Sequence, residues 1–173
     1  MEQVFVLGID PGLSRCGYGA VRQTRSETEV VSAGLITTSR DLPVAERLSI
    51  LLRDIREILA ELRPDVVAIE RILFRSNAKT AMSVGQASGV ILLAAFESGC
   101  EIVEYSASEV KLAVAGYGSA DKLQVQRMIQ ILANLDQIPK PPDVADALGL
   151  AFCHLANHSY TSVVRAAQGS ELR

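Results

Sequence analysis

The hydrophobic period of this chain switches back and forth between two kinds, and that alternation narrows the fold more than any single motif. Residues 4–10 (VFVLGID) read as a short apolar strand. Gly17 to Arg22 (GYGAVR) and Val30 to Thr37 (VVSAGLIT) read as two more, joined by the short polar links typical of hairpins. The period then changes: Leu48, Leu51, Leu52, Ile55, Ile58, Leu59 and Leu62 recur at three- and four-residue steps, one face of an amphipathic helix. Pro43 and Pro64 punctuate its two ends. Asp65 to Glu70 (DVVAIE) returns to strand character through the β-branched Val66, Val67 and Ile69. Residues 78–97 read as a helix rich in small side chains, and Glu101 to Tyr105 (EIVEY) as a fifth strand. Further helices are expected over about 107–115 and 120–133 and, after a loop holding Pro139, Pro141 and Pro142, over about 143–156. The order βββαβαβααα implies an α/β fold in which an antiparallel hairpin portion adjoins a parallel portion built by helical crossovers.

A chain of 173 residues supports one domain with a real core. It is expected over 1–158, with 159–173 as a polar, flexible tail. The most apolar run, Val90 to Phe96, is far too short to span a bilayer, and the start lacks the basic-then-apolar pattern of a secretory leader. Cys16, Cys100 and Cys153 are scattered and odd in number, which reads as a reduced, cytoplasmic protein. The net charge of −3 counts against indiscriminate nucleic-acid binding.

Four carboxylates stand where chemistry would need them. Asp10 closes the first strand and Glu70 the fourth, and ligands of parallel α/β sheets sit outside the carboxyl ends of strands. If those strands are neighbours, the two acids share a crevice, stable only with a proton or a metal between them. The alternatives are an Asp-Pro-Gly turn and two unrelated solvated acids. Asp143 and Asp146, three apart, share one face of a helix first turn, where acids also complement the helix dipole. Val144, Ala147, Leu148 and Ala151 would pack that helix on the sheet and aim both acids at one place. Four converging acids suit Mg²⁺, a hard cation that takes oxygen ligands, and two such ions suit phosphodiester hydrolysis.

The spans LGIDPGLSRCGYGAV, PDVVAIE, NAKTAMSVGQASGV, VKLAVAGYGSADKLQVQRM and DVADALGLA resemble the RuvC family of bacterial crossover-junction (Holliday-junction) endodeoxyribonucleases, in order and over nearly the whole length. The resemblance implies an RNase H-like fold, with a five-stranded mixed sheet flanked by helices on both faces. It implies an endonuclease that resolves four-way DNA junctions by paired symmetric nicks in recombination and repair, leaving 5′-phosphate and 3′-hydroxyl ends. Asp10, Glu70, Asp143 and Asp146 fall on the family's catalytic acids, which bind two Mg²⁺ (or Mn²⁺) ions. Lys111 and Lys122 match basic positions near the scissile strand. Many members carry Phe at the third position after the catalytic Glu, where this chain has Leu73, with Phe74 next to it as the alternative junction-centre wedge. A homodimer, the RuvA–RuvB branch-migration complex and a bacterial cytoplasmic location are implied as well.

The basic residues are unevenly spread, which answers the charge objection. From Arg71 to Phe96 the charges are Arg71, Arg75 and Lys79, with no acid, and Arg15 lies in the loop after Asp10. A local basic strip binds phosphates even on a slightly acidic chain. Arg127 joins that strip, though any one of these residues could equally be a solvated surface charge. His154 and His158, four apart, have a spacing that can hold zinc, but without a third ligand an ordinary helix surface or partner role is expected. Gly85-x-x-x-Gly89 is expected to serve internal helix packing, or alternatively a dimer interface. Two other classes compete with the nuclease. An actin-like kinase fragment needs a second domain, for which there is no room. A non-cutting binder of structured nucleic acid would be expected to have lost one or more of the acids.

Overall fold

The computed structural model describes residues 3–25, 27–72 and 78–170, and the side chains of these except 78–80 and 159–170. Among the described residues five strands form one mixed sheet: β1 (Val4–Asp10), β2 (Arg15–Gln23), β3 (Thr28–Thr37), β4 (Val66–Glu70) and β5 (Glu101–Tyr105). Their order is β3-β2-β1-β4-β5. The first three pair antiparallel, while β1–β4 and β4–β5 are parallel. The helices are α1 (Val44–Leu62), α2 (Ala78–Glu97), α3 (Ala107–Ala115), α4 (Lys122–Leu132) and α5 (Pro142–Ser170). The RNase H-like architecture expected from the sequence is the one observed.

Strand periodicity divides the core in two. Phe5, Leu7 and Ile9 of β1 and Val67 and Ile69 of β4 face α1 and α2, against Leu51, Ile55, Leu59, Ala87 and Ile91. Val4, Val6, Val66 and Ala68 face the other way, toward α3, α4 and α5. Successive side chains of a strand point to opposite faces. Asp10 therefore falls with Val4 and Val6, and Glu70 with Val66 and Ala68, on the α5 side.

The last helix lies unusually close to that face. A Cβ at Gly8 would collide with the Ala147 carbonyl oxygen, and one at Gly17 with the Asp143 carbonyl oxygen. Glycines at these strand positions let helix backbone rest directly on sheet backbone. Val144, Ala147, Leu148 and Ala151 are buried beneath, as their spacing implied.

Three expectations change. α5 runs to Ser170, past the expected end near residue 156, because beyond that point no proline, and no glycine before Gly169, interrupts it. His154 is buried rather than on the helix surface: α5 packs against β5, and the Tyr105 hydroxyl lies 3.0 Å from His154 Nδ1. Gly85 and Gly89 do not serve packing among the described residues, since a Cβ at either would meet none of their atoms within 4 Å. They lie on an outward face of α2 with Met82, Leu93 and Phe96, exposed to 66, 50 and 77 %.

Gly17→Ala should force α5 off the sheet and cost about 2 kcal/mol or more, in the range of core overpacking. Gly118→Ala, where the nearest atom to a new Cβ is 3.9 Å away, should change stability by less than about 0.5 kcal/mol. Urea unfolding of both variants checks the pair.

Candidate active site

β1 and β4 are parallel neighbours in register Ile9↔Ile69, so Asp10 and Glu70 end adjacent strands on the same face. Adjacent strands lie about 4.8 Å apart. Asp10 also pairs with Gly17 on its other side, the glycine on which the Asp143 backbone rests. Asp146 follows one turn along α5. Asp10, Glu70 and Asp146 line a cleft of about 280 Å³, together with Lys111, Lys122 and Gly149. Sequence positions more than 130 residues apart are thus gathered by one strand pairing and one helix seat.

Local sequence places the lysines. Ser106 and Glu109 form a capping box that starts α3, and Asp121 and Gln124 form another that starts α4. Each box satisfies orphan N–H groups and fixes where the helix begins. Lys122 then occupies the first position of α4, and Lys111 the first turn and a half of α3.

Two cations already engage the α5 acids. Lys122 Nζ donates to Asp146 Oδ2 at 2.8 Å, and Arg15 Nη2 to Asp143 Oδ2 at 2.7 Å. Burial, and then the charges of Asp146, Glu70 and Asp143, push the Asp10 carboxyl up to about 7, with Lys122 opposing. Burial and Asp146 likewise raise Glu70. Asp143 goes the other way: burial pulls it up, but the Arg15 hydrogen bond and charge outweigh this and leave it low. The hydrogen bond to Asp146 raises Lys122. The acids are close enough to repel one another. Yet among the described residues no three of them close into a ready-made ligand cluster. The donor set is nonetheless that of a hard divalent ion, carboxylate oxygens at the mouth of a cleft with no thiol lining it.

Of the remaining candidate residues, Arg71 is exposed but tied down: Nη2 donates to the Glu104 carbonyl at 3.0 Å, and Nη1 lies 3.7 Å from Glu109 Oε2. Leu73, Phe74 and Arg75, and the side chain of Lys79, lie outside the described residues. The glycine seat of α5 escaped the sequence reading. Its signal was present, because a glycine inside a strand marks close backbone approach.

The chain matches the family model of the crossover junction endodeoxyribonuclease RuvC over residues 6–154. It is 44 % identical over 162 residues to the crossover junction endodeoxyribonuclease RuvC of Alkaliphilus oremlandii, covering 94 % of this chain and 99 % of that one. To the protein of the same name from Halothermothrix orenii it is 47 % identical over 149 residues, covering 86 % and 90 %. Among solved structures it resembles Thermus thermophilus RuvC in complex with Holliday junction substrate, with a TM-score of 0.85 at 34 % identity, covering 90 % of this chain and 94 % of that one. The yeast mitochondrial Holliday junction resolvase Ydc2, at 14 % identity and a TM-score of 0.65, shares the fold.

A carboxyl raised in the folded state binds its proton more tightly there than in the unfolded chain. Asp10 therefore weakens the fold increasingly as pH climbs from its unfolded value toward about 7. In EDTA, Asp10→Asn should melt at least about 3 °C above the unsubstituted protein at pH 8, with the gap shrinking toward pH 5. Thermal denaturation across that range checks it.

Proposed function

The chain belongs to the RuvC family of crossover junction endodeoxyribonucleases, and from that premise we propose that Asp10, Glu70, Asp143 and Asp146 are its catalytic acids. The enzyme cuts four-way (Holliday) DNA junctions in recombination and repair. Its family is one of metal-dependent nucleases. In our reading the four acids hold two Mg²⁺ ions, with Mn²⁺ able to substitute. Bound there, the ions supply an activated water and charge neutralisation for phosphodiester hydrolysis.

The observation that carries this assignment is the side-by-side placement of Asp10 and Glu70 at the ends of β1 and β4, with Asp146 and Lys122 across the cleft. Asp10, deepest of the four and most strongly opposed by its neighbours, gains most from a cation. Lys122 and Lys111 are positioned to offset the negative charge that builds on the phosphate during in-line displacement. Arg15 and Lys122 hold the α5 carboxylates in place, and Asp143 and Asp146 would be the groups of α5 that hold the ions. Arg71 braces the end of β4 against α3, and we assign DNA binding to Arg75, Lys79 and Phe74 as well. Cleavage leaves 5′-phosphate and 3′-hydroxyl ends.

The same reading extends to a homodimer. Met82, Leu93 and Phe96, with the open Gly85 and Gly89 between them, form an apolar stripe on α2 that no other described element covers. A second copy related by a twofold axis would cover it and would present two cutting sites to a symmetric junction. The RuvA–RuvB branch-migration complex and the cytoplasm complete the setting that membership implies. Among the described residues no helix is long and apolar enough to cross a membrane.

Asp10→Asn should bind a labelled immobile junction as the unsubstituted protein does, yet lose cutting by more than about a thousandfold. Normal nicking by this variant in Mg²⁺ would remove the assignment. Leu93→Glu should convert the dimer to a monomer in light scattering, and single nicks should accumulate in place of paired ones. If the unsubstituted protein is a fully active monomer, the stripe has another purpose.

A further inference from the structure

A charged side chain that this chemistry does not use lies just behind the link following Asp10. Arg47, in the first turn of α1, is only 9 % exposed. Its Nε donates to Thr38 Oγ1 at 3.0 Å and its Nη2 to Ser14 Oγ at 2.6 Å. The Thr38 hydroxyl in turn donates to the Leu13 carbonyl. Both partners are neutral hydroxyls. Among the described residues no carboxylate forms an ion pair with Arg47. Among the described residues Nη1 has no hydrogen-bond partner, and it is not a fully buried orphan.

Arginine is seldom buried without a counter-charge, because removing a lone cation from water is costly. Hydroxyls satisfy donors but leave the charge unneutralised. The surroundings do not supply the missing anion. Asp41 and Glu46 are exposed, and the Asp41 carboxylate accepts from Ser39 instead. Arg40, two residues after Thr38, is exposed, and the start of α1 carries no side-chain cap, leaving the positive end of the helix open.

The position is informative too. Leu13 and Ser14 lie in the link between Asp10 and β2, and Thr38, just past β3, donates its N–H to the Ser14 carbonyl at 3.2 Å. Arg47 therefore stands at the same end of the sheet as the acids, behind the loop that leaves Asp10. We propose that Arg47, with the Ser14 hydroxyl, binds a DNA backbone phosphate other than the scissile one, and that this contact sets the register of the cut strand against Asp10. Phosphate contacts position a nucleic acid without reading its sequence, and a planar guanidinium suits a phosphate better than an ammonium does. The proposal rests on the junction-endonuclease reading above.

The test is junction binding by the full chain in EDTA, where nothing is cut, over 50–200 mM salt. Arg47→Gln should weaken binding at least about threefold and lower the slope of log K against log[salt] by about one. Arg47→Lys should restore the slope. Scanning the junction with single neutral methylphosphonates should find one position that weakens the unsubstituted protein but not Arg47→Gln. If Arg47→Gln fails to fold, Arg47→Lys carries the same cycle, and loss of the planar fork should at least halve the penalty of that methylphosphonate. An unchanged slope in Arg47→Gln, or no methylphosphonate position coupled to residue 47, overturns the proposal and leaves Arg47 a structural pin. Inorganic phosphate that protects Arg47 while DNA shows no coupling also overturns it. Failure of the unsubstituted protein to bind any junction would instead remove the endonuclease reading, and this proposal with it.

Discussion

The site depends on a helix lying on a sheet with no side chain between them. At Gly8 and Gly17 the backbone of α5 occupies the space a Cβ would need. That contact brings the first turn of α5 down to the level of the strand ends, so that Asp146 faces both Asp10 and Glu70 and Asp143 comes within electrostatic reach of Asp10. A larger residue at either strand position would lift two of the four acids away from the other two. Backbone contact of this kind is stiff, because close-packed interiors transmit a displacement rather than absorb it.

Gathering four acids costs stability. Asp10 bears most of the cost, since it is the most buried and faces three other carboxylates. Lys122 and Arg15 offset part of it from the rim, where their pairs are solvent-exposed and individually weak. The arrangement is unfavourable while the acids face one another, and a cation held between them would relieve it. The rest of the sheet end is braced around it. Capping boxes start α3 and α4 beside the cleft, Arg71 links β4 to α3, and Arg47 with Thr38 holds the link after Asp10.

Much of this was legible in one dimension. The period-two runs and the three- and four-residue steps placed every strand and helix to within a few residues except the far end of α5, because those periods reflect which side chains must leave water. The same alternation puts Asp10 with Val4 and Val6, and Glu70 with Val66 and Ala68. What could not be read was partnership. His154 looked like a surface residue because nothing local says that β5 brings Tyr105 to it. Gly85 and Gly89 looked like packing glycines, yet they face outward, since helix spacing does not say which face the sheet takes. Arg15 looked free for phosphate, yet its guanidinium rests on Asp143.

The sequence by itself determined the order of elements, the placing of acids at the ends of strands and a helix, and through these the chemistry available. Those features follow from interactions within a few residues or from simple alternation. Only the tertiary structure decided that β1 lies beside β4, which cation meets which acid, and that Arg47 is buried without a counter-charge. The Arg15–Asp143 contact spans 128 positions and the Lys122–Asp146 contact 24. No local period records such separations. They are set by how α5 seats on the glycine face of the sheet.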